Sequence, residues 1–141
     1  MTDGEPFEEF EHASDLGLRV RGRTLREMFE NAGRGLARLM ADPAGVNPSE
    51  ALELEASGDD NEMLLVAWLG EVLYAFEVEH FVPHEVEVLE LEAGRLKGLV
   101  RGERFDAGRH EIRHAIKAVT YHNLNIREGA GGYEADIILD V

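Results

Sequence analysis

A first helix is predicted by the pattern of apolar residues near the start of the chain. Thr24 and Glu27 form a capping box, in which a threonine oxygen and a carboxylate satisfy backbone amides at a helix start. Pro43 and Gly45 end the helix. Between these signals, apolar residues recur at helical spacing and form one stripe: Leu25, Met28, Phe29, Ala32, Leu36, Leu39 and Met40.

A second helix is predicted behind a group of acidic residues. Asp59 is the predicted cap and Glu62 is its partner three residues later, and early acids also suit the helix dipole. Val82-Pro83 is predicted to stop this helix, and Trp68 is predicted to anchor the core. The apolar positions of the helix are Leu64, Leu65, Trp68, Leu69, Val72, Leu73 and Phe76.

Strands are predicted where apolar and polar residues alternate around the two helices. The pairs Val86/Val88 and Leu89/Leu91 have conflicting phases, which predicts a bulge. The stretch before the last two strands is the least regular and leaves room for a short helical turn. The predicted strands cover residues 6–12, 17–21, 52–56, 86–91, 96–100, 115–126 and 133–141, with hairpin turns at 93–95 and 129–132.

The order of these elements defines the fold class. Two strands, a helix, a strand, a helix and four strands predict an α+β fold. This fold has a mainly antiparallel sheet with two amphipathic helices packed on one face. The 141 residues fit one domain, residues 1–141, in which residues 1–6 are expected to be a flexible tail.

Composition narrows the classes of function. The chain has no cysteine, which excludes disulfides and thiol catalysis and suits a reducing cytoplasm. The acidic start lacks the features of a signal peptide, and no apolar run reaches the ~20 residues of a membrane span. We therefore expect a cytoplasmic protein that does not contact membranes. The net charge of −15 disfavours direct nucleic-acid binding and favours basic protein partners or divalent cations, unless it serves solubility alone.

The end of the last predicted strand carries the most suggestive chemistry. Alternation places Asp140 away from the core, next to the terminal carboxylate of Val141. Like charges this close favour a shared cation. Asp15 joins them if the first and last strands are neighbours, and such hard oxygens suit Ca²⁺ or Mg²⁺ with water completing the shell. A solvated turn aspartate and a frayed C-terminus are the alternative.

The remaining candidates are one lysine and several histidines. Lys117 either neutralises the acidic group, contacts a partner, or protects an edge strand from aggregation. His110 and His114 lack a third ligand and are predicted to lie at the surface, whereas His12 and His122 fit polar strand positions. No nucleophile elbow and no phosphate-binding loop is present, so no catalytic residue is predicted.

Several motifs in this order resemble the archease family, over about residues 10–141. They are His-Ala-Ser-Asp-Leu-Gly-Leu at 12–18, Gly-Arg-Thr-Leu-Arg-Glu-Met-Phe-Glu-Asn-Ala at 22–32, Gly-Asp-Asp at 58–60, Trp68-Leu69, Leu73-Tyr74, residues 116–122 and the terminal Ile-Leu-Asp-Val. The family usually has His-Thr-Ala-Asp at the first motif, so the threonine hydroxyl is missing at residue 13 while the aspartate is kept.

The resemblance implies an activator of the GTP-dependent tRNA-splicing RNA ligase rather than an enzyme. Such a protein promotes guanylylation and multiple turnover of the ligase and broadens its nucleotide use. The family's metal site maps onto Asp15, Asp140 and Val141, with a divalent cation that is Ca²⁺ first and Mg²⁺ or Zn²⁺ otherwise. Lys117 matches a lysine implicated in ligase activation. The alternatives are a stand-alone metal-dependent phosphoester hydrolase and a metal-free, chaperone-like interaction module.

Overall fold

The computed structural model describes residues 5–12 and 15–141, with the backbone alone at residues 11 and 12. Most of the tail predicted at residues 1–6 lies outside the described residues, as do Ala13 and Ser14 of the first motif. Nothing in the structure tests the prediction of a single domain.

Helix α1, Leu25–Met40, begins at the predicted capping box. Thr24 Oγ1 accepts a hydrogen bond from the N–H of Glu27 at 3.1 Å. The carboxylate of Glu27 accepts in turn from the N–H of Arg23 at 2.9 Å. The helix is followed by a short 3-10 helix, Pro43–Gly45, so the predicted end is confirmed.

Helix α2, Asn61–Glu79, begins one residue later than predicted. Its cap is Asp60, whose Oδ1 accepts from the N–H of Met63 at 2.8 Å, so the assignment of the cap to Asp59 was wrong. Either aspartate is a suitable cap, and although Glu62 lies three residues after Asp59, the path of the chain into the helix places Asp60 at the cap. The helix ends at His80 in the left-handed conformation, with φ 57°. Pro83 therefore does not stop the helix and lies in the next strand.

The strands form two sheets, and every pair of neighbouring strands in the described residues is antiparallel. Together with the two helices, this pairing confirms the predicted α+β fold. The five-stranded sheet has the order β1-β2-β8-β6, with β7 also paired to β8. The three-stranded sheet has the order β3-β5-β4. The strands are β1 Phe7–His12, β2 Asp15–Gly22, β3 Glu50–Ser57, β4 Phe81–Glu92, β5 Arg95–Arg104, β6 Ala118–Thr120, β7 Arg127–Gly129 and β8 Gly132–Asp140.

The two helices supply the core that joins the sheets. Helix α1 contacts β2 of one sheet and β4 of the other, and α2 packs on the three-stranded sheet and on β6. Trp68 of α2 is fully buried, as predicted, and its Nε1 donates to the carbonyl oxygen of Phe29 in α1 at 3.0 Å. Gly98 of β5 leaves room for the indole ring, since a Cβ there would come within 2.3 Å of it.

Two predictions about strands had different outcomes. The bulge in β4 is confirmed, because the register shifts between Val88 and Glu90. The long strand predicted at 115–126 was wrong, since only Ala118–Thr120 pairs with β8. A turn with Asn123 at φ 51° then carries the chain away from the sheet edge. The irregular stretch 103–114 contains a turn and no helix.

Candidate functional site

The second, sixth and last strands bring the predicted site residues to one end of the five-stranded sheet, where the last strand neighbours β2 rather than the first strand. Strand β2 begins at Asp15 and β8 ends at Asp140. Leu16 of β2 pairs with Leu139 of β8. Because the strands are antiparallel, the residue before Leu16 and the residue after Leu139 lie side by side, and these are Asp15 and Asp140. On the other side of β8, Ala118 pairs with Asp140. Neighbouring side chains on antiparallel strands have Cβ atoms about 4.5–5.5 Å apart.

The face on which Asp140 lies agrees with the sequence prediction. Asp140 is exposed, and the adjacent Val141 is 41% exposed. The residues that alternate with it on β8 are buried in the core: Ala135, Ile137 and Leu139. Strand alternation therefore puts the Asp140 carboxylate on the outer face of the sheet.

Two apolar residues, Phe10 and Ile138, lie on this outer face, and Ile138 is two residues before Asp140 on β8. Ile138 is only 4% exposed although it points away from the core. Its partner on β2 is Gly17, and Gly17 pairs in turn with Phe10 of β1. A Cβ at Gly17 would come within 2.4 Å of the Phe10 ring, so this glycine lets the ring lie flat across the strand. The low-dielectric side of the predicted site is thus formed by Phe10 and Ile138.

Lys117 lies at the same end of the sheet. Its N–H donates to the carbonyl oxygen of Asp140 at 2.7 Å. Ala118 is the residue opposite Asp140, so Lys117 is one position away from the row that carries the carboxylate. Within the described residues, the Lys117 ammonium lies within 4.0 Å of no carboxylate.

The donor set fits a hard cation only with added ligands. Asp15 and Asp140 supply two carboxylate side chains, and Val141 supplies oxygen atoms of its backbone. In the described part of the chain, no three His, Cys, Asp or Glu side chains are grouped as metal ligands. Water or a partner would have to complete the coordination shell. Carboxylate donors suit Ca²⁺ or Mg²⁺ better than zinc, which favours imidazole and thiolate.

Two histidines flank this region. His12 closes the β1–β2 hairpin, where its backbone pairs with Asp15. His122 is exposed, and its N–H donates to Thr120 Oγ1 at 3.2 Å.

Arginines neutralise the carboxylates further along the outer face. Arg19 binds Asp136 through two hydrogen bonds, of 2.7 and 3.0 Å. Arg21 and Arg127 bind the two oxygens of Glu134 at 2.7 and 2.9 Å. The hydrogen bonds from Arg19 and Arg127 lower the pKa values of Asp136 and Glu134 respectively. Complementary charges at alternate positions of both strands are a sequence signal that predicts this pairing.

A cluster around Glu103 was not predicted from the sequence. The Glu103 carboxylate accepts from Arg109 at 2.7 and 2.9 Å and from the N–H of Asn47 at 2.7 Å. His110 Nδ1 accepts from the N–H of Asp106 at 2.8 Å, so its Nε2 carries the proton and donates to Glu103 at 3.0 Å. These donors, Arg109 first, lower the pKa of Glu103 to about 2.

The cluster corrects the interpretation of one histidine. His110 was predicted to be a surface residue, yet it is 5% exposed and packs 5.9 Å from the ring of Phe105. The prediction was wrong because isolated histidines in an irregular segment give no sign of their burial. His114 is partly exposed and lies 3.8 Å from Glu9. Since the oxygens of Glu103 are occupied by internal donors, this cluster holds loops together rather than offering a binding site.

A groove of about 610 Å³ lies beside the β7–β8 hairpin, at the opposite end of β8 from Asp140. Its arginines are already paired within the chain. Arg21 and Arg127 bind Glu134, and Arg23 lies 3.4 Å from Glu27. Strong affinity for an anion is therefore not expected there.

The architecture defines a class of small antiparallel α+β domains with carboxylates at one sheet end. The model of the Archease protein family matches residues 7–141. Protein archease of Methanopyrus kandleri is 35% identical over 139 residues, which are 96% of this chain and 99% of that protein. Protein archease of Sulfurisphaera tokodaii is 37% identical over 139 residues, 97% of this chain and 99% of that protein. This chain belongs to the archease family.

Solved structures agree with this assignment. The solution structure of protein 1598 of Methanobacterium thermoautotrophicum is 33% identical, with a TM-score of 0.79, over 96% of this chain and 99% of the other. The crystal structure of an archease from Thermotoga maritima, described as a possible chaperone, has a TM-score of 0.68 over 95% of this chain and 96% of the other. At 20% identity, the latter shows a shared fold alone.

Neither helix of the described residues combines the length and apolar character that crossing a membrane requires.

Proposed function

We propose that this chain is a metal-binding accessory protein that activates the GTP-dependent tRNA-splicing RNA ligase. It promotes guanylylation and multiple turnover of the ligase, and it broadens the nucleotides that the ligase accepts. Membership of the archease family supports this role. The observation that carries it is the strand register, which sets the start of β2 and the end of β8 side by side.

The proposed metal ligands are Asp15, Asp140 and Val141, and Ca²⁺ is the preferred ion, with Mg²⁺ or Zn²⁺ as alternatives. Carboxylates near one another repel, and a cation shared between them offsets their charge. The other acids on this face are paired with arginines, and that arrangement supports a separate role for Asp140. A bound cation would supply charge neutralisation at the sheet end, where the exposed Asp140 is open to a partner.

The proposed mechanism follows from charge. Guanylylation requires the negative charge of a triphosphate to be offset and the reacting atoms to be aligned. A chain with a net charge of −15 is attracted to a basic cleft of the ligase rather than to RNA, so direct nucleic-acid binding is not expected. Lys117 then provides a cation beside the proposed metal. We place this function in the cytoplasm.

Single-turnover guanylylation of the cognate ligase tests the function and the site together. The variants are Asp15→Ala, Asp140→Ala and Lys117→Glu, and each is expected to reduce activation by the accessory protein at least about tenfold. Glu87→Ala is the matched control, because Glu87 is an exposed carboxylate on β4 of the other sheet. Full activation by all three site variants would contradict the assignment.

Calorimetry with Ca²⁺, Mg²⁺ and Zn²⁺ separates the alternatives. Binding heat that disappears in Asp140→Ala supports the metal site. No heat with any ion, combined with activation of the ligase, favours a metal-free interaction module. Hydrolysis of a phosphoester by the purified chain, without ligase, favours a hydrolase.

A further inference from the structure

Helix α2 exposes an apolar stripe to solvent. Its buried side faces α1 and the three-stranded sheet, and apolar residues also lie along the middle of its solvent side. Tyr74 is 56% exposed, Val78 is 54% exposed and Met63 is 38% exposed. Ala67 and Gly70 lie between them and are partly exposed. These five residues follow one another at spacings of three and four, so they share one helix face. We call them the α2 stripe.

The solvent side of α1 shows what an ordinary surface helix looks like in this protein. Its least buried positions carry charged residues: Arg26, Glu27, Glu30, Arg34 and Arg38. A helix that is apolar on all sides normally lies inside a protein. Helix α2 carries apolar residues on its open side as well as on its buried side, and contiguous exposed apolar surface is typical of interaction sites. The α2 stripe has the character of such a site.

The shape of the stripe favours a helix as the covering element. Met63 and Val78 are 15 residues apart, which corresponds to about 22 Å along the axis, or about four turns. Gly70 lies near the middle, and a Cβ there would meet nothing within 4 Å. Small residues at the centre of a helix face permit close approach of a second helix axis.

The charge around the stripe identifies the chemistry of the partner. The 21 residues from Asp59 to Glu79 contain no lysine and no arginine, and their acidic residues are Asp59, Asp60, Glu62, Glu71, Glu77 and Glu79. Glu71 and Glu77 lie at the two edges of the stripe by helical geometry. A partner with lysine or arginine beside its apolar residues complements this arrangement.

A second copy of this chain is a poor occupant. Each copy carries a net charge of −15 and the same acidic edges, so like charges would face one another. Stable dimers bury about 1,200–2,000 Å² of surface in total. The stripe has five residues, of which one is an alanine and one a glycine, and it supplies less area than that. We propose that the α2 stripe docks an amphipathic helix of a different protein, whose apolar side is flanked by lysine and arginine.

Nuclear magnetic resonance titration of the full chain with three synthetic helical peptides tests this proposal. Each peptide has about 18 residues, long enough to span the stripe. The first has a leucine stripe flanked by lysine, the second a serine stripe flanked by lysine, and the third a leucine stripe flanked by glutamate. We expect the leucine–lysine peptide to shift the amide resonances of α2 most strongly, and the other two to bind at least about tenfold more weakly.

Substitutions on the protein provide the second arm. Tyr74→Glu is expected to weaken the binding of the leucine–lysine peptide at least about tenfold. Val78→Ser is an independent variant that should also weaken this binding, without adding a charge. Ala51→Glu is the control, since it adds one carboxylate at an exposed position of β3. Circular dichroism confirms that each variant is folded.

Three results would overturn the proposal. The first is equal affinity of Tyr74→Glu and the wild type for the leucine–lysine peptide. The second is equal binding of the serine–lysine peptide, which would mean attraction by bulk charge alone. The third is a wild-type dimer in sedimentation analysis that Tyr74→Glu dissociates, which would make a second copy the occupant.

Discussion

Two carboxylates of this protein, Glu103 and Asp140, lie in different surroundings. Glu103 is 7% exposed and accepts hydrogen bonds from Arg109, His110 and the backbone of Asn47. Asp140 is exposed at the end of β8, and in the described residues its side chain joins no ion pair. Internal donors occupy the first carboxylate and leave the second open to solvent.

The contrast separates residues that hold the fold together from residues that are available to a ligand. A buried charge must find partners within the chain, because its desolvation is otherwise too costly. An exposed charge keeps its hydration and can exchange water for a cation or a partner protein. Burial and partners, rather than residue type, therefore distinguish the two roles.

Replacement of Glu103 is expected to have the largest effect on stability. Glu103→Gln keeps the shape of the side chain but removes the charge that Arg109 and His110 face. The new amide NH₂ is a hydrogen-bond donor, and it would face the N–H donors that now bind the carboxylate. We expect the melting temperature to fall by several degrees in thermal denaturation. The proposed activation of the ligase should persist in the folded variant, and loss of that activation without loss of stability would contradict the structural role.

Acid should weaken the wild type through the same residue. The pKa of Glu103 in the folded state is about 2, below its ordinary value of 4.5. The stabilisation is therefore complete above pH 4.5 and is lost as the pH falls from 4.5 towards 2. The free energy of unfolding of Glu103→Gln should depend less on pH in that window than that of the wild type. Equal slopes for the two proteins would show that Glu103 does not contribute.

A smaller version of the contrast exists at the start of α2. Asp60 caps the helix through the N–H of Met63, whereas Asp59 is exposed beside it. Asp60→Ala is expected to reduce the free energy of unfolding by about 1 kcal/mol. Asp59→Ala should change it by less than about 0.5 kcal/mol. Denaturant titration of both variants checks this, and the reverse order would restore the cap predicted from the sequence.

The smallest effect on stability is expected at Asp140, the exposed carboxylate in the comparison with Glu103. Asp140→Asn removes one charge from the sheet end and should change the free energy of unfolding by less than about 0.5 kcal/mol. The same variant should lose the heat of Ca²⁺ binding in calorimetry. A large loss of stability together with unchanged Ca²⁺ binding would place Asp140 with Glu103 as a residue of the fold.

Local patterns predicted most of the fold. The capping box at Thr24, the bulge near Val88 and the burial of Trp68 depend on neighbouring residues or on strong apolar periodicity, and all three are confirmed. The outer position of Asp140 follows from strand alternation in the same way. Such features need only the geometry of one helix or one strand.

Long-range packing decided the rest. The division of the strands into two sheets depends on α1 lying against both, which no single segment encodes. The strand predicted at 115–126 failed because the chain leaves the edge of β8 after Thr120. The choice of Asp60 over Asp59 likewise depends on how the chain enters the helix.

The sequence by itself singled out Asp15, Lys117 and Asp140 and determined the outward phase of Asp140, and its motifs already resembled the archease family. Only the tertiary structure decided that they meet at one sheet end, because β2 and β8 are separated by more than 100 residues and are joined by their register. The burial of His110 against Glu103 and the exposure of the α2 stripe were decided in the same way. Contact and accessibility belong to the packed molecule, since they depend on every element that lies beside a residue.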